Sequence, residues 1–292
     1  MLSEKEIEAL IKLIDDPDEA IFNHVRSKLL EIGTNVIPHL ESAWEQARID
    51  ANMQQRIEEL IHDINFKSVE EKLKQWVQNG GNNLLEGAIL IAKYQYPDLN
   101  TEKIYQKINQ LKQDIWIELN DLLTPLEKTR VINHILFDVH NFSGNKKNFH
   151  SPQNSYINNV LETKKGNPLS LSIIYTHLAQ ELNIPIRGVN LPSHFVVAYM
   201  DDNQSMGLIN PNEETYGILF YINPFSRGTV FNKHEIAQFL NQLKLEHLPE
   251  YYSACSNLDM IKRLITNLLF SYEKLGYKDK VEDMYKLVEL LS

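Results

Sequence analysis

The sequence predicts an α+β fold that is mostly α, with helical hairpins at both ends of the chain around one small antiparallel sheet. Three observations carry this expectation. Apolar residues recur at helical spacing through His140, give way to strand-like alternation between Ile184 and Ile222, and return to helical spacing from Lys233 onward. A chain of 292 residues, 43% of them hydrophobic, can bury a sizeable core as two compact units or one extended one.

The elements follow in order. Ser3 caps a first helix whose Ile7, Leu10, Ile11 and Ile14 share a face. Asp15-Asp16-Pro17-Asp18 breaks and restarts it, Ile21, Val25, Leu29 and Leu30 continue it, and Gly33 ends it. Val36, Ile37, Leu40 and Trp44 open the next helix. The segments "DPDEAIFNHVRSKLLEI" from Asp16 and "DANMQQRIEELIHDI" from Asp50 both set an acidic residue ahead of an arginine and an apolar stripe, the pattern of HEAT-like helical repeats over residues 1–65. Helix capping accounts for their aspartates without a metal. Residues 66–145 continue as helices, with borders at Pro97 and Thr124-Pro125. "HNFSGNKKNFHSPQNSY" reads as a structured loop, followed by a short helix from Tyr156 to Glu162.

A helix from about Pro168 to Leu182 then leads into strands at Ile184 to Asn190, Phe195 to Met200, Met206 to Ile209 and Gly217 to Ile222, with a turn at Asp201-Asp202-Asn203. Residues 146–235 form this core. The tail, 236–292, holds two helices split at Gly276 in the manner of a tetratricopeptide hairpin.

Composition narrows the function. A formal net charge of -10, with no run of basic residues longer than two lysines, opposes phosphate backbones, so nucleic acid is not an expected partner. No apolar run is long enough to span a bilayer, and the first residues lack a secretory apolar region, so the expectation is a soluble cytoplasmic protein without a membrane partner. Cys255, the single cysteine, permits neither an intrachain disulfide nor a cysteine-based zinc cage. His134 and Asp138 stand one helical turn apart without a third convergent ligand, a surface pair rather than a metal site. No cofactor is expected.

The chemistry-bearing stretch is "KKGNPLSLSIIYTHLAQELNIPIRGVNLPSHFVVAY". Asn167 suits a helix N-cap and Pro168 the first helical position. Ser170 then falls in the turn whose N–H groups lack internal partners, where the helix start favours an anionic nucleophile or oxyanion. His194 heads a strand whose alternation puts its ring and Phe195 on opposite faces. Asn223, at the end of "ILFYIN", reaches the histidine if the two strands are neighbours. His150, His177 and His234 read as helix or loop surface. A helix-start nucleophile, a strand histidine and a next-strand amide follow the order of parts in a papain or transglutaminase core.

The segment from about Leu85 to Phe231 resembles the SirB-type transglutaminase-like family, whose core also occurs in an F-box only protein. The likeness rests on "LLEGAILIAKYQYPDLN", "NFSGNKKNFHSPQNSYINNVLETKKGNPLSLSIIY", "LNIPIRGVNLPSHFVVAY" and "FYINPFSRGTVF", and the family's helical tail is similar to the stretch after Asn257. The resemblance implies a transglutaminase-like (papain-like) core at 146–235. It places the family's catalytic cysteine on Pro168, Leu169 or Ser170, its histidine on His194 and its third, usually acidic, position on Asn223.

None of the three helix-start residues is a cysteine. A serine must be deprotonated during attack, whereas a thiol is already partly thiolate at neutral pH. Cys255 lies beyond the core and cannot substitute. The leading expectation is therefore a non-catalytic, degenerate transglutaminase-like protein, regulatory or accessory, that contacts another protein or peptide. The alternative is a serine-dependent hydrolase or acyl transferase using Ser170, His194 and Asn223.

Overall fold

Short polar residues at helix starts set most boundaries in the computed structural model, which describes residues 3–46, 51–201 and 216–291. The chain divides into two compact units, residues 1–75 with 93–97, and residues 76–92 with 98–292.

In the first unit, α1 (Glu4–Lys12), α2 (Glu19–Ile32), α3 (Ile37–Gln46) and the first part of α4 (Ala51–Gln78) surround Ile7, Ile14, Val25, Leu29, Leu40, Ile57 and Leu60, all buried. Asp18 caps α2 by accepting the Ala20 N–H at 2.8 Å, and Gly33 ends it at φ 74°, a conformation that glycine tolerates best. The two arginines of the similar segments reach across to each other's helices. Arg26 of α2 pairs with Asp63 of α4 at 2.6 Å, and Arg56 of α4 pairs with Glu19 of α2 at 3.0 Å. Arg56 also donates to the carbonyls of Ile14 and Asp16, satisfying backbone groups where the helix is interrupted after α1.

The second unit contains the remaining helices and the sheet. α5 (Leu84–Gln95) begins here, and α6 (Thr101–Glu118) and α7 (Pro125–Asn133) follow. A π turn continues α7 over His134–Val139. Two two-residue strands, β1 (Ser143–Gly144) and β2 (Lys165–Gly166), pair in parallel on either side of α8 (Ile157–Thr163). After α9 (Pro168–Glu181) comes an antiparallel meander of β3 (Ile186–Leu191), β4 (His194–Met200), β5 (Ile218–Asn223) and β6 (Thr229–Phe231), adjacent in that order. α10 (Lys233–Gln242), α11 (Asn257–Leu275) and α12 (Lys278–Glu289) complete the unit, and Gly276 at φ 76° separates the last two.

The fold is thus α+β and mostly α. Some expectations shift in detail. Leu191 pairs with His194 across a tight Pro192–Ser193 turn, so β4 begins one residue earlier than its apolar run. Ser193 takes φ 57°, and proline followed by a positive-φ residue is the pattern of a type II turn. β6 and the β1–β2 pair are additions. The strand at Met206 to Ile209 and most of the preceding turn lie outside the described residues.

The larger difference concerns α9. The face of Leu171, Ile174 and Leu178 anchors it as expected, yet every residue from Pro168 to Ala179 is buried. Some of its polar members find partners, whereas the buried Thr176 hydroxyl has none. Ser172 donates back to the Pro168 carbonyl at 2.7 Å, and the Tyr175 hydroxyl donates to Asn133 Oδ1 at 3.1 Å. His177, expected at the surface, is 7% exposed. A helix apolar nearly all round becomes the central rod of its unit.

The Asn133 side chain ties the end of α7 to the β5–β6 turn, donating to the Gly228 carbonyl at 2.8 Å. Gly228 has φ 73°, and any Cβ there would collide with the Asn133 carboxamide. Gly228→Ala is expected to lower unfolding free energy by about 2–3 kcal/mol through this clash and the unfavourable backbone, read as a lower midpoint in denaturant titration.

Candidate functional site

The start of α9 is built around Asn167, which accepts the Ser170 N–H on its Oδ1 at 2.8 Å. Its Nδ2 donates to Ser155 Oγ at 3.0 Å. Its own N–H donates to Ser170 Oγ at 3.0 Å, and that hydroxyl donates back to the Asn167 carbonyl at 3.3 Å. This is a reciprocal capping box, with serine in the place usually taken by Glu or Gln. Ser170 is 1% exposed, and a Cβ on Gly166 would stand 2.5 Å from its oxygen. The hydroxyl is therefore walled in and committed to the backbone.

His194 is positioned by different elements. It shares strand parity with Val196 and Ala198, which with Val189, Leu191 and Tyr221 build a core against Ile236 and Leu240 of α10. Its half-buried ring lies 6.3 Å from Phe239 of α10 and 6.2 Å, edge-on, from Phe225. Asn223 has the same parity on β5, since Ala198 pairs with Tyr221. Burial holds the His194 imidazole below the ordinary histidine pKa, and a hydrogen bond from the ring to the Asn223 side chain opposes that shift. The Asn223 carboxamide oxygen also accepts the Ser226 N–H at 3.3 Å, capping the turn Pro224–Ser226.

His194 and Asn223 are therefore brought together, as the strand order requires. Ser170 is not joined to them: among the described residues no hydrogen bond links it to His194, and its bonds go to Asn167. Pro168 occupies the first helical position, and Leu169 is buried. Cys255 lies at the outer edge of β3, where its N–H donates to the Gly188 carbonyl at 2.8 Å. Burial pushes its thiol up to about 12, the opposite of an activated thiolate.

Aromatic groups from separate segments line the His194 side. Phe149 meets Phe225 edge-on at 5.7 Å, and His150 lies 5.2 Å from Phe149 and 5.7 Å from Phe270 of α11. Phe225 also packs against Gly144, where a Cβ would stand 2.5 Å from the ring. Phe149 and Phe225 are absent from the expected site, although "NFHSP" and "NPF" already carry them. His150 is exposed, as its loop suggested. The His134 and Asp138 side chains pair at 3.3 Å, and Arg227 also bonds Asp138, so a cation completes that cluster. Among the described residues no group of three His, Cys, Asp or Glu side chains is placed to hold a metal ion, and no helix is long and apolar enough to cross a membrane.

A buried helix start, a sheet histidine and an amide at the end of the neighbouring strand are the parts of a transglutaminase-like core. The Transglutaminase-like superfamily model matches residues 102–266, and the chain belongs to that superfamily. Among curated relatives it is similar to a UPF0162 protein of Xylella fastidiosa, 33% identical over 156 residues that cover 53% of this chain and 50% of the relative. A UPF0162 protein of Vibrio cholerae is 23% identical over 56% of this chain and 58% of its own length. Human F-box only protein 21 is 22% identical over 78% of this chain and 38% of its own. The chain spans about half the length of the first curated relatives it matches. No solved structure matches it.

Two predictions follow from the geometry. Ser170→Ala strands the buried Asn167 N–H and is expected to cost about 1 kcal/mol of stability, measured by urea unfolding. The second concerns pH. His194 and His177 both have folded-state pKa values lowered, chiefly by burial, so the unfolded chain binds protons more readily. Their contribution is intact above the ordinary histidine value of 6.5 and is lost as pH falls through it toward the lowered folded values. The urea midpoint should drop between about pH 7 and pH 5, with a shallower drop in His194→Gln.

Proposed function

We propose that this protein uses its transglutaminase-like core to hold a protein or peptide partner rather than to cut or cross-link one, in a regulatory or accessory role. The observation that carries this reading is the Ser170 hydroxyl, engaged on both sides by Asn167 inside a buried helix start. A nucleophile must present a free lone pair to the carbonyl it attacks and pass its proton to a base. Here the base candidate, His194, lies between Phe239 of α10 and Phe225, and no hydrogen bond joins it to Ser170 among the described residues. What remains is a largely neutral imidazole beside an amide and several aromatic faces, groups that donate, accept and stack without forming bonds. In this reading the helical arms, taken as HEAT-like before the core and tetratricopeptide-like after it, offer contact surfaces of their own.

The test is chemical labelling. A serine-directed phosphonate should leave Ser170 unmodified in folded protein, and Ser170→Ala should not alter peptide or amide hydrolysis. Steady turnover abolished by both Ser170→Ala and His194→Ala would establish the hydrolase or acyl-transferase alternative instead.

A further inference from the structure

Two lysine pairs that are separate in the sequence, Lys146-Lys147 and Lys164-Lys165, are drawn together by the β1–β2 bridge. Ser143 stands opposite Lys165 and Gly144 opposite Gly166. The Ser143 N–H donates to the Lys164 carbonyl at 2.9 Å, and the Asn145 N–H donates to the Gly166 carbonyl at 2.8 Å. Lys146 follows directly. Lys107 of α6 joins the group: burial first, and then this neighbouring charge, hold the Lys164 ammonium below the ordinary lysine range. Lys164 is further fixed by its position 4.5 Å over the Phe142 ring.

Lys107, Lys146, Lys147 and Lys165 are exposed. Among the described residues, no carboxylate pairs with any of these five lysines, although the chain as a whole carries a net charge of -10. Like charges left together repel one another, and a ligand of opposite sign relieves that repulsion. The ammonium groups come from a strand, a loop and a helix, so they suit an extended chain of spaced negative charges better than one small ion. Lysines are point charges without the planar fork that favours phosphate, and the overall acidity opposes a long phosphate backbone. Beside the patch, Gly144 abuts Phe225, which meets the exposed Phe149, so apolar side chains between the acids also find a surface.

We propose that this lysine surface docks an acidic peptide segment of the partner protein. The inference rests on the contact reading above and adds the chemistry of what is contacted.

The test uses the full chain and a dye-labelled ten-residue glutamate peptide, followed by fluorescence anisotropy at about 20 mM and about 200 mM salt. The expected result is saturable binding at low salt that weakens at high salt. A Lys146→Glu/Lys165→Glu variant of unchanged melting temperature should bind roughly tenfold more weakly. Lys107→Glu should weaken binding in the same direction, and Lys74→Glu, on an exposed position of α4, should not. Absence of binding at low salt, equal binding by the double variant, or tighter binding of a single-stranded oligonucleotide of equal charge would overturn the proposal. Failure of the contact reading itself would register as Ser170-dependent turnover, which this titration does not measure.

Discussion

Asn167 is the residue through which the start of α9 is tied to the loop that precedes α8. Its carboxamide caps α9 and holds Ser155 of the preceding loop, while its backbone exchanges hydrogen bonds with Ser170. The same chemistry continues outward. Asn145 donates to Asn154 at 2.9 Å, and Asn154 donates to the carbonyls of Asn148 and Phe149. Asn154, Ser155, Asn167 and Ser170 are all buried, so each polar group needs its partner, and removal of one leaves others unsatisfied in a low-dielectric setting. Amide side chains thus fix the loop against the helix, and through that loop set Gly144 against Phe225 and Phe149 beside it.

This dependence explains which parts of the molecule could be read from residues alone. Asn167-Pro168, Gly33 and Gly276 carry strong local signals, and the boundaries they imply are where the helices start and stop. The alternation from His194 to Tyr199 correctly separated the histidine from Phe195, and the strand order brought Asn223 to it. Alternation cannot say which sheet face receives which helix, and that determines what His194 meets. The burial of α9 was equally hidden, because Ser172, Thr176 and His177 look like a solvent-facing stripe until their tertiary surroundings are known. The β1–β2 pair, two residues per strand, is too short to have any period at all.

Ser170 shows one sequence feature with two meanings. The third position of a helix offers unpaired N–H groups, which can receive developing negative charge or can be satisfied by a capping side chain. Here the capping use takes up the hydroxyl. In the first unit, likewise, the two similar segments each contribute an arginine, but the informative contacts are crosswise. Such exposed ion pairs add little free energy. Their geometry, and the Arg56 bonds to two backbone carbonyls, align α2 with α4.

The meander leaves β3 as an outer strand, and an outer strand offers unpaired backbone groups to any other chain that meets it. The Cys255 N–H already occupies the Gly188 carbonyl at the middle of that rim, with Met260 of α11 packed close behind. A second molecule seeking to extend the ladder would have to displace the chain's own backbone first. Cys255 thus contributes through its amide rather than its thiol, by keeping the middle of the β3 rim paired within the chain.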